Sequence, residues 1–138
     1  MKVLAIDYGS RRVGLAVGNS LTRVATPLGQ VAAANRRVVL DEIVKRVGEF
    51  EVERLVVGYP LNMDGSRGAA CAAVDRFVGF LRKRLDLPID LVDEKLSSFA
   101  AEELAKEIEP DFHKRKSFLD SMAAQVILES FFEKEIKS

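Results

Sequence analysis

Three carboxylates, Asp7, Glu94 and Asp120, stand at positions where a charge is either costly or informative. Asp7 follows Val3-Leu4-Ala5-Ile6, the pattern of a strand covered on both faces, and so closes that strand at its C-terminal end. In open α/β sheets that edge is where ligands bind. Glu94 follows the last strand, Ile89 to Val92, which ends at Asp93-Glu94, and is expected at the same edge. Taken singly, Asp7 reads equally well as ordering a turn and Glu94 as an exposed loop residue. Asp120 says more. Ala123, Ala124, Ile127, Leu128 and Phe131 follow it at helical offsets, and at 100° per residue they form a stripe centred close to Asp120 itself. That places a carboxylate on the core-facing side of a helix, in its first turn. An unpaired buried carboxylate needs a cation, a hydrogen-bond cage or a raised pKa. The helix N-terminus offsets only about 0.3–1 kcal/mol of the cost. Arg12 is the structural alternative as partner. Taken together, three oxygen-only ligands without His or Cys are what hard Mg²⁺ or Mn²⁺ prefers, one or two ions, and Zn²⁺ does not. Two such ions about 3.5–4 Å apart activate a water and stabilise the leaving oxygen in phosphodiester hydrolysis.

Positioning those groups requires a particular order of elements. Val3 to Ile6 and Val13 to Val17 read as strands joined by the turn Tyr8 to Arg12, hence an antiparallel hairpin. A third strand spans Arg23 to Val31, where Pro27 suits a sheet edge. Asn35 caps a helix carrying Val39, Leu40, Ile43, Val44 and Val47, with Gly48 as its stop signal. A strand over Glu53 to Gly58 runs into a turn-rich loop, Tyr59 to Ser66. A helix follows over about Arg67 to Leu85, then the strand Ile89 to Val92. Ser97 or Ser98 caps a helix to about Ile108, Asp111 to Lys116 is a basic connecting loop, and the final helix runs from about Ser117 to Glu133. Strands one, four and five are joined through helices and are expected to be parallel, with a three-strand meander at one side. The fold class is α/β, a three-layer single domain over residues 1–138 with a five-stranded mixed sheet flanked by helices.

Composition sets outer bounds. With 48% hydrophobic and 30% charged residues the 138-residue chain is globular, and no apolar run approaches the roughly 20 residues of a membrane helix. The N-terminus enters a strand pattern at once, without signal-peptide architecture. One cysteine, Cys71, excludes an internal disulfide and fits a cytoplasmic location. Net charge is zero, so the global field gives no support for a nucleic-acid partner. Basic clusters occur at Arg11 and Arg12, Arg36 and Arg37, Arg82 to Arg84, and His113 to Lys116; each reads first as a solvated face.

Four segments, "AIDYGSRRVGLAVGN", "VVGYPLNMDGS", "VDEKLSSFAAEE" and "LDSMAAQVILESFF", carry a resemblance over nearly the whole chain. In this order and at these distances they resemble the YqgF family of pre-16S rRNA nucleases, also described as Holliday-junction-resolvase-like, with a ribonuclease H-like fold. The resemblance implies a nuclease with an Asp-Glu-Asp metal site on Asp7, Glu94 and Asp120. Its Gly-x-x-Arg turn falls on Gly9 and Arg12, and its Gly-x-Pro-x-Asn loop on Gly58, Pro60 and Asn62. The family's usual arginine after the site glutamate is Lys95 here, which loses the bidentate fork for phosphate. Lys114 and Arg115 join Gly9, Arg12, Pro60, Asn62 and Lys95 as substrate contacts. Precursor rRNA and branched DNA are both implied as nucleic-acid substrates, and the oligomeric state stays open between a monomer and a weak dimer.

Rival readings are weaker. A nucleotide-binding domain of the actin/hexokinase type opens in the same way but needs two such domains. Gly9, Gly14 and Gly18 do not form G-x-G-x-x-G, and no phosphate-binding loop motif occurs. A catalytically silent RNA- or protein-binding module on the same fold is the reading from another class. His113 reads as a nucleic-acid contact or a solvated residue, Cys71 as packing. Phe99 and Phe112 are candidates for base stacking, and Phe118 for core packing.

Overall fold

The structure, a computed structural model, describes residues 1–62, 64–93, 106–111 and 119–137, with 119–121 and 135–137 by backbone alone. Five strands form one mixed sheet: β1 Lys2–Tyr8, β2 Arg12–Asn19, β3 Ala25–Ala32, β4 Arg54–Tyr59 and β5 Ile89–Asp93. Their spatial order is β3-β2-β1-β4-β5. β1–β2 and β2–β3 are antiparallel, as short connections allow, while β1–β4 and β4–β5 are parallel through helical crossovers. Helices α1 Arg36–Phe50 and α2 Ala69–Arg84 cover one face, and α3 Leu119–Lys137 covers the other. The expected three layers are therefore present.

β1 reads as a continuous apolar run because both its faces are covered. Leu4 and Ile6 pack with Val39, Ile43, Phe77 and Leu81 of α1 and α2, and Val3 and Ala5 with Ala124, Ile127 and Leu128 of α3. All four strand residues have no exposed surface. Burial of each large aliphatic contributes about 1.5–3 kcal/mol. The two faces differ in bulk. Under α3 the first two strands present Ala5, Gly14, Ala16 and Gly18. An added Cβ at Gly18 would lie 3.0 Å from Leu128 Cδ2 and 3.1 Å from Phe132 Cε2, so α3 rides close to the sheet there.

Several boundaries differ from expectation, and for β3 and α1 the local reason is visible. β3 starts at Ala25 because Arg23, at φ 59°, belongs to the turn and donates its N–H to the Asn19 carbonyl at 2.7 Å. Pro27 does lie on the edge strand, beside a register shift at Leu15/Ala16. α1 passes through Gly48 and ends two residues later at Phe50, with the cap residue Glu51 left-handed at φ 54°. The Glu51 N–H donates to the Gly48 carbonyl and the Val52 N–H to the Val47 carbonyl, a Schellman closure anchored by the buried Val52. α2 starts at Ala69 with Gly68 as cap, and α3 continues past Glu133 to Lys137. β4 begins at Arg54 rather than Glu53. Residues 106–108 are helical, in line with a helix reaching Ile108; the rest of that expected helix and most of the 111–116 loop lie outside the described residues.

Candidate active site

The parallel strands β1, β4 and β5 all end at one edge of the sheet, at Tyr8, Tyr59 and Asp93. Asp7 stands there, partly buried, on the sheet face it shares with Val3 and Ala5 by strand alternation, the face that α3 covers. Its neighbour Tyr8 turns to the opposite face and stacks on Phe77 of α2, with ring centroids 4.2 Å apart and planes 16° apart.

Glycine borders Asp7 on both sides. Gly14 is its partner across the β1–β2 ladder. On the other side Ile6 pairs with Val57, and Gly58 is the next residue along β4. Gly14 alternates with Ala16, and Gly58 with Val56, so both glycines belong to the α3 face. Flanking strands thus present backbone and no side chain beside the carboxylate. Glycine inside a strand weakens it, and one reason to place it there is the close approach of a ligand. Sequence reasoning took Gly14 and Gly58 only as motif members. Their juxtaposition with Asp7 depends on strand register, which is not a local property of the sequence.

The turn after β1 is fixed by a glycine as well. The Gly9 N–H donates to the Arg12 carbonyl at 3.0 Å, and a Cβ at Gly9 would stand 2.6 Å from that same oxygen. Arg12, which opens β2, is partly buried, and Arg11 is exposed. The Arg11 carbonyl accepts from the Ala33 N–H at 2.9 Å, tying the turn to the end of β3.

Beyond β4, Pro60 is partly buried and Asn62 exposed. The Asn62 amide donates to Ser66 Oγ at 3.0 Å, and the Asn62 N–H donates to the Ser66 carbonyl at 2.9 Å. Ser66 in turn donates to Asp64 from both its N–H (2.9 Å) and its hydroxyl (2.6 Å). Those hydrogen bonds hold the Asp64 carboxyl below its ordinary value. A Cβ at Gly68 would meet the Asn62 amide at 3.2 Å, so the start of α2 packs on this loop. Tyr59 anchors its base. Its hydroxyl donates to Asp75 Oδ2 at 3.1 Å, and burial, then that hydrogen bond, push the phenol pKa up.

Asp120 is the second residue of α3. Leu128 and Phe132, further along the helix, sit against Gly18 at the far end of β2. Glu129, Phe132 and Glu133 gather with Arg23 of the β2–β3 turn, so the C-terminal half of the helix lies at that end of the sheet. Four residues that share the stripe of Asp120, Ala123, Ala124, Ile127 and Phe131, are buried. Glu94, Lys95, Lys114 and Arg115 lie outside the described residues. Among the described residues no three of His, Cys, Asp and Glu cluster, since only Asp7 of the trio has a described side chain. Cys71 is buried in α2, in agreement with a packing role.

Among proteins of known name, one from Maridesulfovibrio salexigens carrying the name pre-16S rRNA nuclease is 41% identical over 131 residues, 95% of this chain and 97% of its own length. One of the same name from Alcanivorax borkumensis is 39% identical over 135 residues, 98% of each chain. Among solved structures, Thermus thermophilus RuvC in complex with a Holliday junction substrate superposes with a TM-score of 0.64 at 15% identity, covering 99% of this chain and 96% of that one. The fowlpox virus resolvase in complex with Holliday junction DNA gives 0.61 at 6% identity, covering 99% of each chain. These likenesses show the ribonuclease H-like fold. The family model of RuvX, described as Holliday junction resolvase, matches residues 1–134, and the chain belongs to that family.

Proposed function

We propose that the chain is a divalent-metal-dependent endonuclease that hydrolyses phosphodiester bonds, with precursor 16S rRNA as substrate, 5′-end processing as its role and the cytoplasm as its location. The observation that carries the reading is Asp7 held between Gly14 and Gly58 at the edge where three parallel strands end, in a chain of the RuvX family. Asp7, Glu94 and Asp120 are the ligands and catalytic residues, an all-oxygen set that fits one or two Mg²⁺ or Mn²⁺ ions. Bound metal supplies Lewis acidity and a more acidic water. The chain's own groups then orient the substrate. Gly9 closes the turn that presents Arg12 to a phosphate, and Pro60 and Asn62 border the same edge. Lys95, Lys114 and Arg115 add positive charge.

The test is cleavage of a labelled precursor-16S leader RNA, and of a four-way DNA junction, with Mg²⁺, with Mn²⁺ or with EDTA. Wild type is expected to cut the RNA only with metal. Asp7→Asn and Asp120→Asn are expected to slow it by about a hundredfold or more, a loss of ~2.7 kcal/mol of transition-state stabilisation. Equal cleavage by all three proteins would overturn the site. A second reading, a branched-DNA resolvase, is favoured by the two junction-bound structures of the same fold. Faster cutting of the junction than of the RNA selects it. Tight binding to both without cleavage selects a non-catalytic module.

A further inference from the structure

A basic groove lies between α1 and α2, on the sheet face opposite the one that bears Asp7. Ala34, Asn35, Arg36, Arg37, Leu40, Phe80 and Arg84 enclose about 510 Å³ there. Two charge clusters that are remote in sequence meet in it, in a chain whose net charge is zero. Among the described residues, three arginines and no carboxylate line the space; Asp41 stands beside it, with Oδ1 2.7 Å from Arg84 Nη2. The Arg36 guanidinium rests on the Phe80 ring, its Cζ 3.6 Å from the centroid, and Lys83 Nζ approaches that ring at 5.7 Å. A guanidinium held over an aromatic face retains N–H donors and loses less freedom on binding. The positive charge belongs to side chains, because the Asn35 side chain already accepts from the Arg37 and Val38 N–H groups at the start of α1.

The groove is connected to the candidate active site. Its entry, Ala34 to Arg37, follows directly after Ala33, whose N–H is bonded to Arg11 in the turn that carries Arg12. Three residues of chain span at most about 10 Å. The backbone of Arg36 therefore lies within about 10 Å of Ala33 and of the turn bonded to it.

We propose that this groove is a second binding site for the phosphate backbone of single-stranded RNA, holding the strand beyond the point of cleavage. The proposal rests on the nucleic-acid reading above and adds a surface which that reading does not use. Arginine forks match phosphate oxygens, and Phe80 holds the Arg36 guanidinium in place at the groove.

The test measures binding of a fluorescein-labelled single-stranded RNA of mixed sequence in EDTA, where nothing is cleaved, as a function of salt. Each lost phosphate contact lowers the slope of log K against log salt by about 0.7 for a single strand. Arg36→Gln with Arg37→Gln is therefore expected to lower it by about 1.4, and Arg84→Gln, on the other helix, by about half of that. Arg36→Lys with Arg37→Lys retains most of the slope. Lys45→Gln with Lys134→Gln, an equal charge loss at exposed positions elsewhere, leaves it unchanged. An unchanged slope in both glutamine variants overturns the proposal, as does an equal fall in the control. Displacement of the RNA by poly-glutamate as readily as by unlabelled RNA also overturns it, in favour of an acidic-protein site. Asp7→Asn separates the two readings. If it binds RNA normally and the wild type cuts nothing, the nuclease reading fails while the groove stands.

Discussion

Ser66 gives Asp64 two hydrogen bonds, and Asn62, a proposed substrate contact, leans on the same serine. Charge on Asp64 is thereby coupled to the shape of the loop. The folded-state pKa of Asp64 is lowered from its ordinary 3.8. Its contribution to stability is thus complete above that ordinary value and is lost as pH falls through the lowered one. Ser66→Ala removes the hydroxyl, the larger cause, and is expected to move the Asp64 carboxyl pKa up toward 3.8, read by NMR titration of its side-chain carbon. Asn62 should sharpen or shift with it. An Asp64 titration identical in wild type and variant would show that the serine does not hold the loop. The turn character of this segment is legible in Asn62, Asp64, Gly65 and Ser66. The particular donor–acceptor pairing is not, because several of those side chains are chemically able to fill each role. Asp7 was legible as a strand-end carboxylate from the apolar run before it. Its two glycine neighbours were not, because they come from other strands.

Helix α3 was legible as an amphipathic stripe, since Ala124, Ile127, Leu128 and Phe131 recur at helical spacing. How closely it approaches the sheet was hidden, because that depends on which strand residues lie beneath it. Gly18 supplies the answer. A Cβ there would meet Val24 O at 2.5 Å as well as Leu128 and Phe132, and a backbone oxygen cannot swing aside as a side chain can. Gly18→Ala is expected to destabilise the protein by about 1–3 kcal/mol through overpacking, seen as an earlier urea midpoint with an unchanged slope. Because α3 also carries position 120, cleavage should fall further than the loss of folded protein explains. A variant as stable as wild type would mean that the helix is not seated on Gly18. The end of α1 shows the converse limit of local rules: Gly48 is the better residue for a left-handed stop, yet burial of Val52 sets the closure at Glu51. Tertiary burial outweighs the cost of one left-handed glutamate.

At the scale of the whole molecule, the sheet is a frame that gathers groups far apart in the chain onto two surfaces. The α3 face carries Asp7, and the α1–α2 face carries the basic groove. Topology was legible because connection lengths dictate which strands are parallel. Electrostatics was not, since a net charge of zero conceals both the carboxylate cluster proposed at one face and the arginines at the other. Three carboxylates that converge without a cation repel one another. Asp120→Asn is therefore expected to leave the metal-free melting temperature unchanged or to raise it, while wild type gains stability from Mg²⁺ or Mn²⁺. At a hundredfold excess over Kd that gain is about 2.7 kcal/mol, several degrees for a chain of this length. Asp7→Asn and Asp120→Asn should each lose most of the metal-induced shift. Thermal unfolding with and without the ion reads both effects in one experiment. If Asp120→Asn instead melts clearly lower in EDTA, Asp120 is engaged in a structural ion pair, with Arg12 the first partner to test by a double-mutant cycle.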